Sequence, residues 1–69
     1  MTLSQKLKLL RSKKRLSQEK AAIKMGIKHK TYAAYEEDRC KPRAATMLAI
    51  AKVLGVTIEL LLNDEKEVK

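Results

Sequence analysis

Hydrophobic residues recur along this chain at intervals of three and four, which is the period of an amphipathic helix. Leu3, Leu7 and Leu10 show this spacing in the first segment, and lysines and arginines occupy the other faces. The chain after Leu10 repeats the pattern in shorter stretches. We therefore expect helices at about 3–14, 17–25, 28–37 and 43–54, and a short fifth helix capped by Thr57.

Residues that start or stop helices lie at the ends of these segments. A hydroxyl at Thr2 or Ser4 can cap the first helix, and the Ser17 hydroxyl can accept the amide of Lys20 at the start of the second. Gly26 follows the last turn of the second helix, where a left-handed backbone ends it. The sequence thus predicts an all-α fold of five short helices, with one domain at 1–63 and a charged tail at 64–69.

Composition narrows the class of protein. Only two aromatic residues, Tyr32 and Tyr35, join the aliphatic core candidates, which favours helices over strands. The single cysteine, Cys40, rules out an internal disulfide, and no apolar run reaches membrane-spanning length, so we expect a cytoplasmic protein. One histidine and one cysteine make no metal-binding set. We expect no metal, no cofactor and no small-molecule ligand.

Charge is concentrated in the first thirty residues. Residues 1–30 hold ten Lys/Arg and one acidic residue, a net +9, whereas residues 31–69 hold six Lys/Arg and seven Asp/Glu, a net −1; together they give +8. A charge distribution this uneven on a small protein favours a polyanionic partner, and nucleic acid is the leading candidate.

Residues 17–36 fit a helix-turn-helix, which consists of two short helices joined by a tight turn that often contains glycine. Ala22 is small where the helices cross, Gly26 lies in the turn, and Ile27 is apolar directly after it. In this arrangement the first helix spans the phosphate backbone and the second lies in the major groove. The motif therefore predicts binding to double-stranded DNA.

The chain resembles the Cro/repressor-type helix-turn-helix DNA-binding family of phages and bacteria over about residues 3–63. The matching stretches recur in order and spacing: Leu16-Ser17-Gln18-Glu19, Met25-Gly26-Ile27, Thr31-Tyr32, Tyr35-Glu36, Lys41-Pro42 and 50–56. The resemblance implies a lambda-repressor-like domain. It further implies a sequence-specific transcriptional regulator, a repressor that binds a near-palindromic operator as a homodimer.

The resemblance also implies roles for individual residues. Base contacts are expected from the start of the second motif helix, at Lys28, His29 and Lys30. Phosphate contacts are expected from Gln18, Thr31, Arg39, Lys41 and Arg43. Gln18 is also expected to buttress a neighbouring groove contact. A structural salt bridge is expected between Arg11 and Glu36. A dimer interface is expected at Val56, Ile58, Leu61 and Leu62.

Three positions depart from the family pattern. Ala34 stands where a long polar side chain usually reaches a base, and Asp38 stands at the helix end where Gly or Asn is common. Ala21 replaces a usual leucine, for which the bulky Tyr32 can compensate. The first two departures indicate an altered sequence preference. Outside the motif, we expect Lys6 to be an ordinary surface residue.

Two alternatives to a DNA-binding regulator are an antitoxin-type interaction module and an enzyme. An antitoxin-type protein-interaction module uses the same fold to hold a partner and also binds its own promoter. Such a module is expected to carry a partner-binding extension, and here only the short charged tail at 64–69 follows the domain. An enzyme is disfavoured, because the carboxylates at 36–38 have no nucleophile or metal-binding set beside them.

Overall fold

Residues 1–63 are described by a computed structural model of the chain. Within these residues five α-helices and no strands follow one another: α1 Leu3–Lys13, α2 Gln18–Met25, α3 His29–Glu36, α4 Ala44–Leu54 and α5 Ile58–Leu62. The predicted all-α fold of five helices is confirmed, and each predicted boundary lies within one residue of the observed one. The predicted tail at 64–69 lies outside the described residues.

Local hydrogen bonds explain why the helices start and end at these positions. Thr2 caps α1 through a reciprocal capping box with the amide and side chain three residues later. The hydroxyls of Ser17 and Thr57 accept backbone amides of α2 and α5 at 3.1 and 3.2 Å. Gly26 and Gly55 end α2 and α4 with φ of 73° and 72°, a left-handed conformation in which glycine carries no steric penalty.

The core lies where the five helices meet. α3 packs against both α1 and α2, while α4 packs against α2 and α5. Every helix contributes to one cluster of buried apolar residues: Leu7, Leu10, Ala21, Ala22, Met25, Tyr32, Tyr35, Met47, Ile50, Ala51, Leu54 and Leu61. Both tyrosines thus belong to the core, and α3 is fixed on two sides.

Lys6 is not a surface residue, contrary to the sequence prediction. Its side chain is completely buried, and Nζ donates to the carbonyl oxygen of Leu60 at 2.6 Å and to that of Asn63. The last carbonyls of a helix have no partner within the helix, and a buried ammonium is costly unless it is hydrogen-bonded. Each group therefore satisfies the other, and this contact fastens the end of α5 to α1.

Candidate nucleic-acid interface

The turn between α2 and α3 sets the angle of the helix-turn-helix. The amide of Gly26 donates to the carbonyl of Ile23 at 3.1 Å, and that of Ile27 donates to the carbonyl of Ala22 at 3.0 Å. Ala22 is 1% exposed, because its small side chain lies within the packed core. These bonds and contacts hold α3 at a defined orientation on α2.

The start of α3 is open to solvent. Lys28, His29 and Lys30 are all exposed, whereas Tyr32, Tyr35 and Glu36 bury the opposite side of the same helix. Lys28 has an extended backbone and precedes the helix as its N-cap, so the helix itself begins at His29. The residues predicted to contact bases therefore lie together on an uncovered surface.

A buried ion pair joins the end of α3 to α1. Arg11 donates to Glu36 twice, from Nε at 2.6 Å and from Nη2 at 3.1 Å, and its Nη1 donates to the carbonyl of Leu16 at 2.8 Å. The Glu36 side chain is 1% exposed and that of Arg11 is 19% exposed. The pair predicted at these two positions therefore ties α1 to the last residue of α3.

The ionisation of this pair follows from its contacts. Burial by itself raises the pKa of Glu36, but hydrogen bonds from Arg11 and Gln18 act in the opposite direction and hold the pKa below its ordinary value. The hydrogen bond to Glu36 raises the pKa of Arg11. Burial, followed by the neighbouring Glu36 carboxylate, raises the pKa of the Tyr32 phenol. At neutral pH the site therefore holds a carboxylate, a guanidinium and a neutral phenol.

Gln18 connects this pair to the exposed start of α3. Its Nε2 donates to Glu36 Oε1 at 3.0 Å, and its Oε1 lies 3.4 Å from His29 Nε2. One N–H of the amide remains for a phosphate, the role that the sequence predicts. The contact with His29 fits the buttress to a neighbouring groove contact that the family resemblance implies for Gln18. Sequence reasoning missed the contact with Glu36, which lies eighteen positions away along the chain.

The loop after α3 carries three exposed cations. Asp38 adopts a left-handed backbone with φ of 59°, at the position where the family prefers Gly or Asn. Arg39 forms an ion pair with Glu37 at 2.7 Å, and both side chains are more than half exposed. Lys41 and Arg43 are also exposed, and Arg43 is the N-cap of α4. Two of the three predicted phosphate ligands in the loop have no carboxylate partner within residues 1–63.

The predicted dimer interface is partly wrong. Leu61 is 1% exposed and belongs to the core of its own chain, so it is not available to a second copy. Val56 and Ile58 are half-buried against that core, and only Leu62 is largely exposed. Leu48, which the prediction did not include, is 59% exposed and lines the same shallow apolar depression as Ile58 and Leu62.

The hydrophobic surface elsewhere gives no sign of a membrane segment. Across residues 1–63, none of the helices combines the length and the apolar character that crossing a bilayer requires.

Comparison with known proteins identifies the family. Residues 4–67 match the family described as "Helix-turn-helix domain". The chain is 36% identical over 66 residues to "Uncharacterized HTH-type transcriptional regulator YqaE" of Bacillus subtilis (strain 168), which covers 96% of this chain and 57% of that protein. It is 30% identical over 69 residues to "Immunity repressor protein" of Bacillus phage phi105, and the match covers 100% of this chain and 48% of that protein. It is 36% identical over 63 residues to "Cryptic phage CTXphi transcriptional repressor RstR" of Vibrio cholerae, and the match covers 91% of this chain and 57% of that protein.

The chain spans about half the length of these curated relatives. Its fold matches the solution structure of the DNA-binding domain of the P22 C2 repressor with a TM-score of 0.89, covering 97% of this chain and 88% of that domain. The sequence identity to that domain is 18%, so the likeness shows the fold alone. The family predicted from the sequence is thus confirmed: the chain belongs to the helix-turn-helix domain family, and its relatives include transcriptional regulators of phages and bacteria.

Proposed function

We propose that this protein is a cytoplasmic transcriptional repressor that occupies a near-palindromic DNA operator as a homodimer. The observation that carries the proposal is the exposed, basic start of α3, held outward by a packed helix-turn-helix frame. An α-helix fits the major groove of B-DNA, where each base pair presents a distinct pattern of donors and acceptors. The names of two relatives, an immunity repressor and a transcriptional repressor, support repression.

Within this proposal the side chains that contact DNA divide into two groups. Lys28, His29 and Lys30 at the start of α3 read base edges. Side chains around them bind phosphates and set the position of the protein on the duplex: Gln18, Thr31, Arg39, Lys41 and Arg43. Phosphate contacts give affinity without sequence information, whereas base contacts give specificity.

Dimerisation places two copies of α3 on successive turns of DNA, which matches a palindromic site. Leu62 and Leu48 supply exposed apolar area around the half-buried Ile58, and they support an interface that includes α5 and one side of α4. Leu61 has no part in this interface, because it is buried in its own chain.

The proposal is tested by comparing two lysine substitutions in a selection of bound duplexes from a random pool. Lys30→Ala is expected to relax the preference at one base pair of each half-site, at a cost of about 1–3 kcal/mol, because a base contact is lost. Lys41→Ala is expected to weaken all sequences alike, because a phosphate contact is lost. Lys52→Ala, which removes an exposed lysine from the last turn of α4, is the matched control.

Unchanged sequence preferences in Lys30→Ala would refute its base-reading role. A Lys41→Ala protein that binds some sequences normally and others poorly would refute the assignment of Lys41 to phosphate.

The ion pair between Glu37 and Arg39 competes with the phosphate contact that we propose for Arg39. Glu37→Gln is therefore expected to strengthen DNA binding at low salt, by about fivefold for each copy, since the attraction of one opposite-charge pair that must be given up is worth roughly 1 kcal/mol in water. The gain should shrink as salt is raised, because both charges are exposed. Titration of a labelled duplex with each variant measures the effect.

A double-mutant cycle separates the release of Arg39 from the simple loss of a negative charge. The gain from Glu37→Gln should be smaller in an Arg39→Ala background, since no guanidinium is left to release. An affinity that falls or stays constant in Glu37→Gln would show that the pair does not oppose DNA binding.

A further inference from the structure

We infer that Arg15, in the turn between α1 and α2, is a further phosphate-binding residue of the DNA interface. The inference deepens the proposed function, on which it rests. Its ligand is a phosphodiester of the same duplex that α3 enters. The contact with DNA thereby extends beyond the helix-turn-helix to a turn that precedes the motif.

The backbone of Arg15 is left-handed, which is costly for an arginine. Its φ is 57°, a conformation that only Gly, with occasional Asn and Asp, adopts readily. Arg15 follows the C-cap of α1, and its amide donates to the carbonyl of Ser12 at 3.0 Å. The next amide, that of Leu16, donates to the carbonyl of Arg11 at 3.3 Å. A helix end with this pair of bonds usually carries glycine at the left-handed position, so the helix end itself does not explain an arginine.

The other left-handed positions within residues 1–63 hold residue types that tolerate this backbone. They are Gly26 and Gly55 at the ends of α2 and α4, and Asp38 after the C-cap of α3. A cation at the end of a helix is favourable, but on the protein surface this gain is smaller than the cost of a left-handed arginine. Strained backbone of this kind is retained mainly where it serves a function.

The side chain of Arg15 is available to a ligand. It is exposed, and within residues 1–63 it forms no ion pair, whereas Arg11 and Arg39 are each paired with a glutamate. The neighbouring Lys14 is directed elsewhere, because its Nζ lies 3.4 Å from the point where a Cβ on Gly55 would stand, at the end of α4. Arg15 thus presents an unpaired guanidinium, whose planar donors match two oxygens of a phosphate.

The turn is held beside the proposed phosphate contact of Gln18. Arg15 precedes Gln18 by three residues, so their Cα atoms are at most about 11 Å apart. Between them, the carbonyl of Leu16 accepts Nη1 of Arg11 at 2.8 Å, while Gln18 itself donates to Glu36 at 3.0 Å. The ion pair that anchors α3 therefore also fixes this turn. A guanidinium here can reach a phosphate close to the one that Gln18 binds.

Titration of a labelled duplex with single-charge variants of the full chain tests the contact. Arg15→Gln is expected to weaken DNA binding by about fivefold for each copy, roughly the strength of one ion pair in water. It should also lower the salt slope by about one for each copy. Lys14→Gln is the matched control, since it removes an equal charge from the adjacent exposed residue. At about 0.1 M salt, where charges more than about 10 Å apart are largely screened, it should change the affinity by less than about twofold.

Glycine substitutions separate DNA binding from the effect on the backbone. Arg15→Gly is expected to raise the thermal midpoint by about 3 °C, because glycine adopts the left-handed conformation without strain, and yet to weaken DNA binding as Arg15→Gln does. Asp38→Gly relieves strain in the same way at the end of α3, but it removes a carboxylate from beside the cationic loop. It should therefore raise both the midpoint and the affinity. Two residues that served only the fold would not change the affinity in opposite directions.

The outcomes distinguish the inference from the proposed function. A loss of affinity in Arg15→Gln no greater than that in Lys14→Gln would overturn the inference and leave the proposed function intact. An Arg15→Gly protein that is less stable than wild type and binds DNA equally well would assign Arg15 to the fold and also overturn the inference. A wild type that binds no duplex even at low salt would refute the proposed function and the inference together.

Discussion

DNA binding by this protein is expected to weaken by about a thousandfold or more when salt is raised from about 50 to about 200 mM. Each copy presents five exposed cations at or beside the proposed interface: Lys28, Lys30, Arg39, Lys41 and Arg43. If three of them neutralise phosphates in each of two copies, binding releases about six counterions from the duplex. The affinity then falls with roughly the fifth power of the salt concentration. The net charge of +8 adds a long-range attraction that salt also screens.

Titration of a labelled duplex at several salt concentrations and one pH measures this slope. Lys41→Ala should lower the slope by about one for each copy bound, because one phosphate contact is removed. Lys52→Ala should leave it nearly unchanged. A change in affinity below about tenfold over the same salt range would mean that backbone contacts do not dominate binding, and the phosphate assignments would then be wrong.

The helices could be predicted closely because their limits are set by neighbouring residues. The hydroxyls of Ser17 and Thr57 mark the starts of their helices, and Gly26 and Gly55 mark helix ends. Each of these residues acts on amides or carbonyls within four positions along the chain. The apolar period then fixes which side of each helix faces inward.

Contacts between distant parts of the chain could not be predicted in the same way. Lys6 was expected at the surface, because its charge indicates a solvent-exposed position and the carbonyl oxygens of Leu60 and Asn63 that it binds are far away along the chain. Leu61 and Leu62 are chemically identical neighbours, and only the packing of α5 decides that the first is buried and the second exposed.

The candidate site shows the same division. Its exposed cations follow from charge and position in the motif, because the start of α3 has no apolar side chains to bury. A buttressing role for Gln18 was implied by the family resemblance, but its contact with Glu36 depends on the distance between two helices and emerges only from the fold.

Substitution of Glu36 by glutamine is expected to destabilise the fold by about 3 kcal/mol, towards the lower end of the cost of breaking a buried ion pair, because Arg11 keeps partial access to solvent. A small domain has only about 5–15 kcal/mol of stability in total, so the loss is a large share. We expect the thermal midpoint to fall by more than about 10 °C. Urea unfolding at neutral pH measures the free energy of unfolding directly.

The adjacent carboxylate supplies the matched control. Glu37→Gln removes an equal charge from an exposed pair, and it should change stability by less than about 1 kcal/mol. A Glu36→Gln protein as stable as Glu37→Gln would show that the buried pair contributes little. The double variant Arg11→Met with Glu36→Leu should be more stable than Glu36→Gln, because no unpaired charge then remains in the interior.

The pH dependence distinguishes an ionic role for Glu36 from a purely steric one. The pKa of Glu36 is lower in the folded state than the ordinary carboxyl value, so its contribution is complete above that value, at about pH 4.3, and is lost as the pH falls through the folded pKa. The gap in stability between wild type and Glu36→Gln should therefore be constant near neutral pH and narrow in acid. A gap that stays constant down to about pH 2 would mean that the substitution acts through packing, since a protonated Glu36 no longer differs from glutamine in charge.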